Sequence, residues 1–292
     1  MFKGSNVALI TPMTADGAID EVALTNLVQW HMEKGSDGLV AVGTTGESPV
    51  LSAAEHQRVV ELIVEAAQGR LPVIAGCGSN NTAEAVAFHA HAFRVGADAA
   101  LHVTGYYNRP SQEGIYRHFE TLAAENDLPI LVYNIPARAV VDISVETMAR
   151  LSLLPPVVGV KDATQDLNRP CLEQLAIAKP FSWLSGEDGT AVAYNAAGGN
   201  GCISTTANVA PAQCAAIQRA CKNNDFATAT ALQRQLMPLH QALFIEPSPA
   251  GAKYACSRLG LCGDRARLPL VPLQPGTMER IDRAMDSLEL AV

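Results

Sequence analysis

The chain is 292 residues long and carries 21 Lys+Arg against 29 Asp+Glu, a formal net charge of -8, with 48% apolar and 17% charged residues. It is too apolar for a disordered chain, and no basic stripe exists to neutralise the phosphates of a nucleic acid. A globular chain of 30.8 kDa exposes roughly 12,000 Å² and buries a core that needs no disulfide or metal staple. No basic leader precedes an apolar run, and no apolar stretch is long and proline-free enough to span a bilayer, so the reading is a cytoplasmic protein without a membrane segment. Seven cysteines with no CxxC pair read as small buried hydrophobes in a reducing compartment.

Strand-like and helix-like segments alternate along the chain. A strand over 6–10 precedes a helix over 20–34, whose first turn is acidic, as the positive end of a helix favours. A strand over 38–42 leads to a helix over 52–68 that opens Ser52-Ala53-Ala54-Glu55, the spacing of a capping box. Strands over 72–75 and 99–103 are followed by helices over 82–95 and 111–126. A fifth strand over 129–133 precedes a helix over 144–153. Strands over 156–160, 181–184 and 201–203 complete eight, with helices over 188–197 and 211–222 after the last two. The stretch between 160 and 181 has no assigned helix.

The best strands are continuous Val/Ile/Leu runs, the pattern of parallel strands covered on both faces. Eight βα units favour a closed (β/α)8 TIM barrel over an open sheet, and the glycine fingerprint of a dinucleotide site is missing after the first strand. Three further helices, over 226–244, 248–259 and 277–290, follow without strands. The expected organisation is a barrel domain over 1–224 and a C-terminal helical region over 225–292.

In a barrel, ligand groups come from the carboxyl ends of the strands. The second strand ends in Gly43-Thr44-Thr45-Gly46-Glu47, a tight turn with hydroxyls and amides for a small carboxylate, or else a plain βα turn. The fifth ends in Tyr133-Asn134-Ile135-Pro136-Ala137-Arg138. Tyr133 offers a phenol at the mouth, or is a rim aromatic, and Arg138 offers a planar fork for a second carboxylate, or a surface ion pair. Lys161 alone among six lysines closes an apolar strand. Burial favours its neutral amine, which attacks a ketone and forms a Schiff base. The alternative is a lysine that snorkels out and pairs with Asp162. Together these groups suit aldolase chemistry on a small 2-oxo acid without metal or cofactor, with Thr44 and Tyr107 as hydroxyl relays for Tyr133. His89 and His91, an i,i+2 pair on one helix, share no face and read as surface or packed residues rather than metal ligands.

GTTGE at 43–47, YNIPAR at 133–138, GVKDAT at 159–164 and SGED at 185–188 stand in an order and spacing that resemble the dihydrodipicolinate synthase and N-acetylneuraminate lyase family of class I aldolases. The resemblance covers the whole chain. It implies Lys161 as the Schiff-base lysine for pyruvate, and Thr44, Tyr107 and Tyr133 as the proton relay. Tyr107 would reach in from a neighbouring subunit, in a homotetramer built as a dimer of dimers. It implies Thr45, Gly186 and Ile203 at the pyruvate pocket, and Arg138 on the carboxylate of L-aspartate 4-semialdehyde. An arginine there favours a synthase of the lysine and diaminopimelate route over a sugar-acid lyase, and the relay favours either enzyme over a silent binding protein. In the family Thr-Gly often follows the arginine, where this chain has Ala139-Val140. The same resemblance places an L-lysine inhibitor cleft at Ser48, Leu51, His56, Asn80, Glu84 and Tyr106, with Ala53 where histidine is frequent.

Overall fold

In a computed structural model, which describes residues 2–290, eight parallel strands pair in chain order and close on themselves. They are β1 (Gly4–Ala8), β2 (Gly38–Ala41), β3 (Val73–Gly76), β4 (Ala99–Val103), β5 (Ile130–Asn134), β6 (Val157–Asp162), β7 (Ser182–Ser185) and β8 (Gly201–Ser204). The outer helices are α1 (Glu21–Glu33), α2 (Ala53–Ala67), α3 (Thr82–Arg94), α4 (Gln112–Ala123), the single turn α5 (Pro136–Ala139), α6 (Val145–Ser152), α7 (Arg169–Ala176), α8 (Ala191–Ala196) and α9 (Pro211–Lys222). Three more follow: α10 (Phe226–Ala242), α11 (Ala250–Arg258) and α12 (Pro275–Asp286). Met1 and residues 291–292, part of the expected spans, lie outside the described residues.

The strands are buried on both faces, as their unbroken apolar runs required. One packed layer fills the barrel with Val40, Ile74, Leu131, Leu184 and Ile203, and two others lie between strands and helices. The accessible surface is 12144 Å², the size expected for a compact chain of this mass. The capping box at Ser52 is formed, with Glu55 N donating to Ser52 Oγ at 3.3 Å and Ser52 N to Glu55 Oε2 at 2.8 Å. His89 and His91 are both buried: His89 Nδ1 lies 3.1 Å from His102 Nε2, and His91 Nε2 lies 3.1 Å from Glu61. Among the described residues no helix is long and apolar enough to cross a membrane.

β3, β5, β6, β7 and β8 run one or two residues further at their carboxyl ends than apolarity alone suggests, whereas β1 and β2 stop one or two residues short of the expected 10 and 42. Asn134 and Asp162 still pair in the ladder, and their buried side chains find partners in Asp142 and Thr164 N. The helix α7 was absent from the sequence reading for a physical reason. Leu172 and Leu175 face outward at 47% and 87% exposure, while Arg169 and Glu173 are buried. Its polarity is therefore inverted relative to an amphipathic surface helix.

The buried Glu173 predicts a pH effect on stability. It is 1% exposed and lies 3.4 Å from Arg169. Burial pushes its carboxyl up to about 7 from an ordinary 4.5, the Arg169 charge opposing. The folded chain then holds a proton that the unfolded chain releases near 4.5, so stability falls as pH rises from there through about 7. Urea unfolding across this window should show a loss of up to about 3 kcal/mol from this group. Glu173→Gln should flatten that slope; an unchanged slope would show the carboxylate already ionised in the fold.

Candidate active site

A pocket of about 220 Å³ opens at the carboxyl end of the barrel, walled by Val42, Gly43, Thr44, Tyr133, Arg138 and Lys161, among others. Strand register brings the two central groups together: Tyr133 on β5 pairs directly with Lys161 on β6. Lys161 is 7% exposed, and its Nζ stands 4.2 Å from the centroid of the Tyr133 ring. No carboxylate of the described residues forms an ion pair with it. The neighbouring Asp162 points to the other side of the sheet and accepts instead from Thr164 N at 2.8 Å. The outward-snorkelling alternative is thereby excluded, and the amine faces the pocket beside a phenol ring.

The turn that carries Thr44 is held under backbone strain. Val42, a β-branched residue, takes φ 50 at the end of β2, a region such residues rarely occupy. Gly76 permits this conformation: a Cβ there would lie 2.5 Å from the Val42 carbonyl oxygen. Glu47 closes the turn at φ 59. Its buried carboxylate pairs with Lys253 of α11 and accepts from Arg267 N at 2.9 Å. The C-terminal helices thus brace the catalytic face.

Arg138 lines the pocket from α5, a single turn that ends on Val140 at φ 65. That is the left-handed conformation in which glycine is at ease, so valine here carries strain in the segment that holds the arginine.

Thr45, Gly186 and Ile203 do not form walls of this pocket. Gly186 backs the lysine: a Cβ there would meet Lys161 Cε at 3.2 Å and Ala163 Cβ at 2.8 Å. Thr45 is buried, its Oγ1 3.4 Å from Thr205 Oγ1, and Ile203 belongs to the packed barrel interior. Tyr107 stands 89% exposed at φ 67, outside the pocket of its own chain, whereas Tyr106 lines it.

The six residues of the expected inhibitor cleft do not form one pocket within the chain. Ser48 and Tyr106 line the pocket at the barrel mouth, and Asn80 borders another of about 100 Å³ beside α4. Glu84 is exposed and accepts from Ser79 Oγ at 2.5 Å, and Leu51 is half-buried against the core. His56 is 2% exposed, stacked on Phe88, with Nε2 donating to the Gly76 carbonyl at 2.7 Å. Burial lowers its pKa to about 4, which keeps it neutral near pH 7.

Two carboxylates of the SGED segment had no assigned role from sequence. Asp188 accepts from Thr205 N at 3.0 Å and Thr206 N at 3.1 Å, fixing the loop after β8. Glu187 is half-buried; burial raises its carboxyl, Asp188 adds to this, and the Lys161 and Arg138 charges oppose it. The signal available was their place after the seventh strand. Among the described residues, no three His, Cys, Asp or Glu side chains converge as a metal site.

The dihydrodipicolinate synthetase family model matches residues 1–288. The chain belongs to this family. It is 59% identical over 286 residues to the 4-hydroxy-tetrahydrodipicolinate synthase of Rhizobium meliloti, covering 98% of each chain. The dihydrodipicolinate synthase of Acinetobacter baumannii, solved in complex with pyruvate, superposes with a TM-score of 0.97 at 41% identity, covering 99% of this chain and 100% of the other. The enzyme of Cyanidioschyzon merolae, solved with lysine bound, gives 0.95 at 31% identity and 99% coverage of both.

Proposed function

We infer that this family member condenses pyruvate with L-aspartate 4-semialdehyde to 4-hydroxy-tetrahydrodipicolinate, a lyase reaction of lysine and diaminopimelate biosynthesis. The observation that carries this reading is the amine of Lys161 over the ring of Tyr133 in a pocket that also holds Arg138. The Lys161 amine adds to the ketone carbon of pyruvate, water leaves, and a protonated imine forms. The imine draws electrons from the adjacent methyl carbon, which loses a proton and becomes an enamine. That carbon attacks the aldehyde of the second substrate, whose oxygen takes up a proton and becomes the hydroxyl. The amino group of the same substrate then adds to the imine carbon and expels the lysine amine, closing the ring and restoring the enzyme.

Proton traffic falls to Tyr133, with Thr44 in the same pocket and Tyr107 delivered by a second copy of the chain. The exposure of Tyr107 supports such delivery across a dimer boundary, and family membership supports a homotetramer made of two such dimers. Thr45, Gly186 and Ile203 shape the pyruvate end, and Arg138 takes the carboxylate of the semialdehyde through its planar fork. L-Lysine is proposed as a feedback ligand at Ser48, Leu51, His56, Asn80, Glu84 and Tyr106, completed across the subunit boundary. Seven unpaired thiols suit a reducing cytoplasm.

A coupled assay with both substrates, with and without L-lysine, tests the reading. Turnover with aspartate semialdehyde is expected; cleavage of a sugar acid without it would overturn the substrate assignment. Tyr133→Phe should lower kcat by roughly 10²–10⁴-fold while borohydride still traps pyruvate on Lys161. An unaltered kcat would remove the phenol from the relay.

A further inference from the structure

The segment that carries Arg138 is strained where it leaves the pocket and tied down a few residues later. Val140 at φ 65 has no glycine to ease the turn, and strained backbone persists only where its surroundings hold it. Asp142, half-exposed, accepts from Arg169 Nη1 at 3.0 and 2.9 Å through its two oxygens and from Asn134 Nδ2 at 2.8 Å. Arg169 is 6% exposed, and its Nη2 also donates to the carbonyl of Ile143. On the other side Gln112 of α4 bridges the segment, donating to Asp142 O at 2.7 Å and accepting from Ser144 N at 3.0 Å. Asn134 directly follows Tyr133, and its partner in the ladder, Asp162, directly follows Lys161. Asp142 therefore joins the end of the arginine-bearing segment to the strand that carries the phenol, and the buried guanidinium joins it to α7.

We propose that Arg169, acting through Asp142, is a positioning residue that sets Arg138 for the carboxylate of the second substrate. This rests on the substrate reading above. The guanidinium fork grips two carboxylate oxygens and a carbonyl at once, which an ammonium cannot reproduce. Loosening it lets the strained turn relax and moves Arg138 away from its working position, while Thr45, Gly186 and Ile203 at the pyruvate end sit on or after β2, β7 and β8.

The test compares Arg169→Lys and Asp142→Ala with the intact protein. Asp142 is half-exposed, so its truncation keeps the proposal testable should the buried variant fail to fold. Both variants should raise KM for aspartate semialdehyde roughly tenfold or more, with KM for pyruvate and borohydride trapping of pyruvate unchanged. In an Arg138→Ala background the added effect of Asp142→Ala should vanish, because residues acting through one group are not additive. The proposal falls if KM for the semialdehyde stays at the parental value. It falls equally if both KM values and the unfolding midpoint move together, or if the effect persists without Arg138. Absence of turnover with the semialdehyde in the parent protein would instead overturn the substrate reading.

Discussion

Lys161→Ala should fold as the parent does and lose turnover by at least about a thousandfold. The side chain is buried in the pocket but takes part in no ion pair of the described residues, so its removal leaves no charge stranded. What disappears is the only amine lining the pocket among the described residues, and with it the imine proposed to acidify the pyruvate methyl group. Mass spectrometry after borohydride reduction with pyruvate should show an adduct on the parent protein and none on the variant. Lys161→Arg should fare no better, since a guanidinium stays protonated and is no nucleophile. Retention of a tenth or more of parental kcat in the alanine variant would remove the Schiff base from the mechanism.

Lys253→Met should destabilise the protein by about 3–5 kcal/mol, the largest stability effect expected for a residue away from the pocket. Lys253 is 0% exposed and pairs with Glu47, itself 2% exposed; its Nζ also donates to Arg265 O at 2.6 Å. Burial lowers the lysine pKa, and the Glu47 charge opposes that shift. Methionine fills the space but leaves a buried carboxylate whose one remaining hydrogen-bond donor among the described residues is the Arg267 amide. Breaking one side of a buried pair costs far more than replacing both, so Glu47→Gln combined with Lys253→Met should recover much of the loss. Urea unfolding measures both, and a single-variant loss under about 1 kcal/mol would mean that Glu47 is neutral or hydrated in the fold. Activity should fall with stability here, because Glu47 closes the strained turn that presents Thr44.

The two central groups of this pocket were legible in sequence because each ends an apolar run. Lys161 after Val157–Val160 and Tyr133 after Ile130–Val132 are polar exceptions at strand ends, and a barrel gathers strand ends into one mouth. Arg138 stands five residues further along, in the loop that opens at that strand end. The helix α7 was not legible, because its leucines face outward and its charges inward.

The amino-acid order by itself determined the alternation of eight strands with helices, whose number favours a closed barrel, and marked Lys161 as the lysine that ends an apolar strand, since these follow from local periodicity and from polar residues that interrupt it. Only the tertiary structure decided which groups touch. It set Lys161 over the Tyr133 ring, left Tyr107 outside its own chain's pocket, and joined Glu47 to Lys253 and Asp142 to Arg169 across long separations in sequence. Such pairings carry no local signature. They arise when strand register and helix packing bury a charge and a partner must meet it, because an unmatched charge in a low-dielectric interior is too costly to keep.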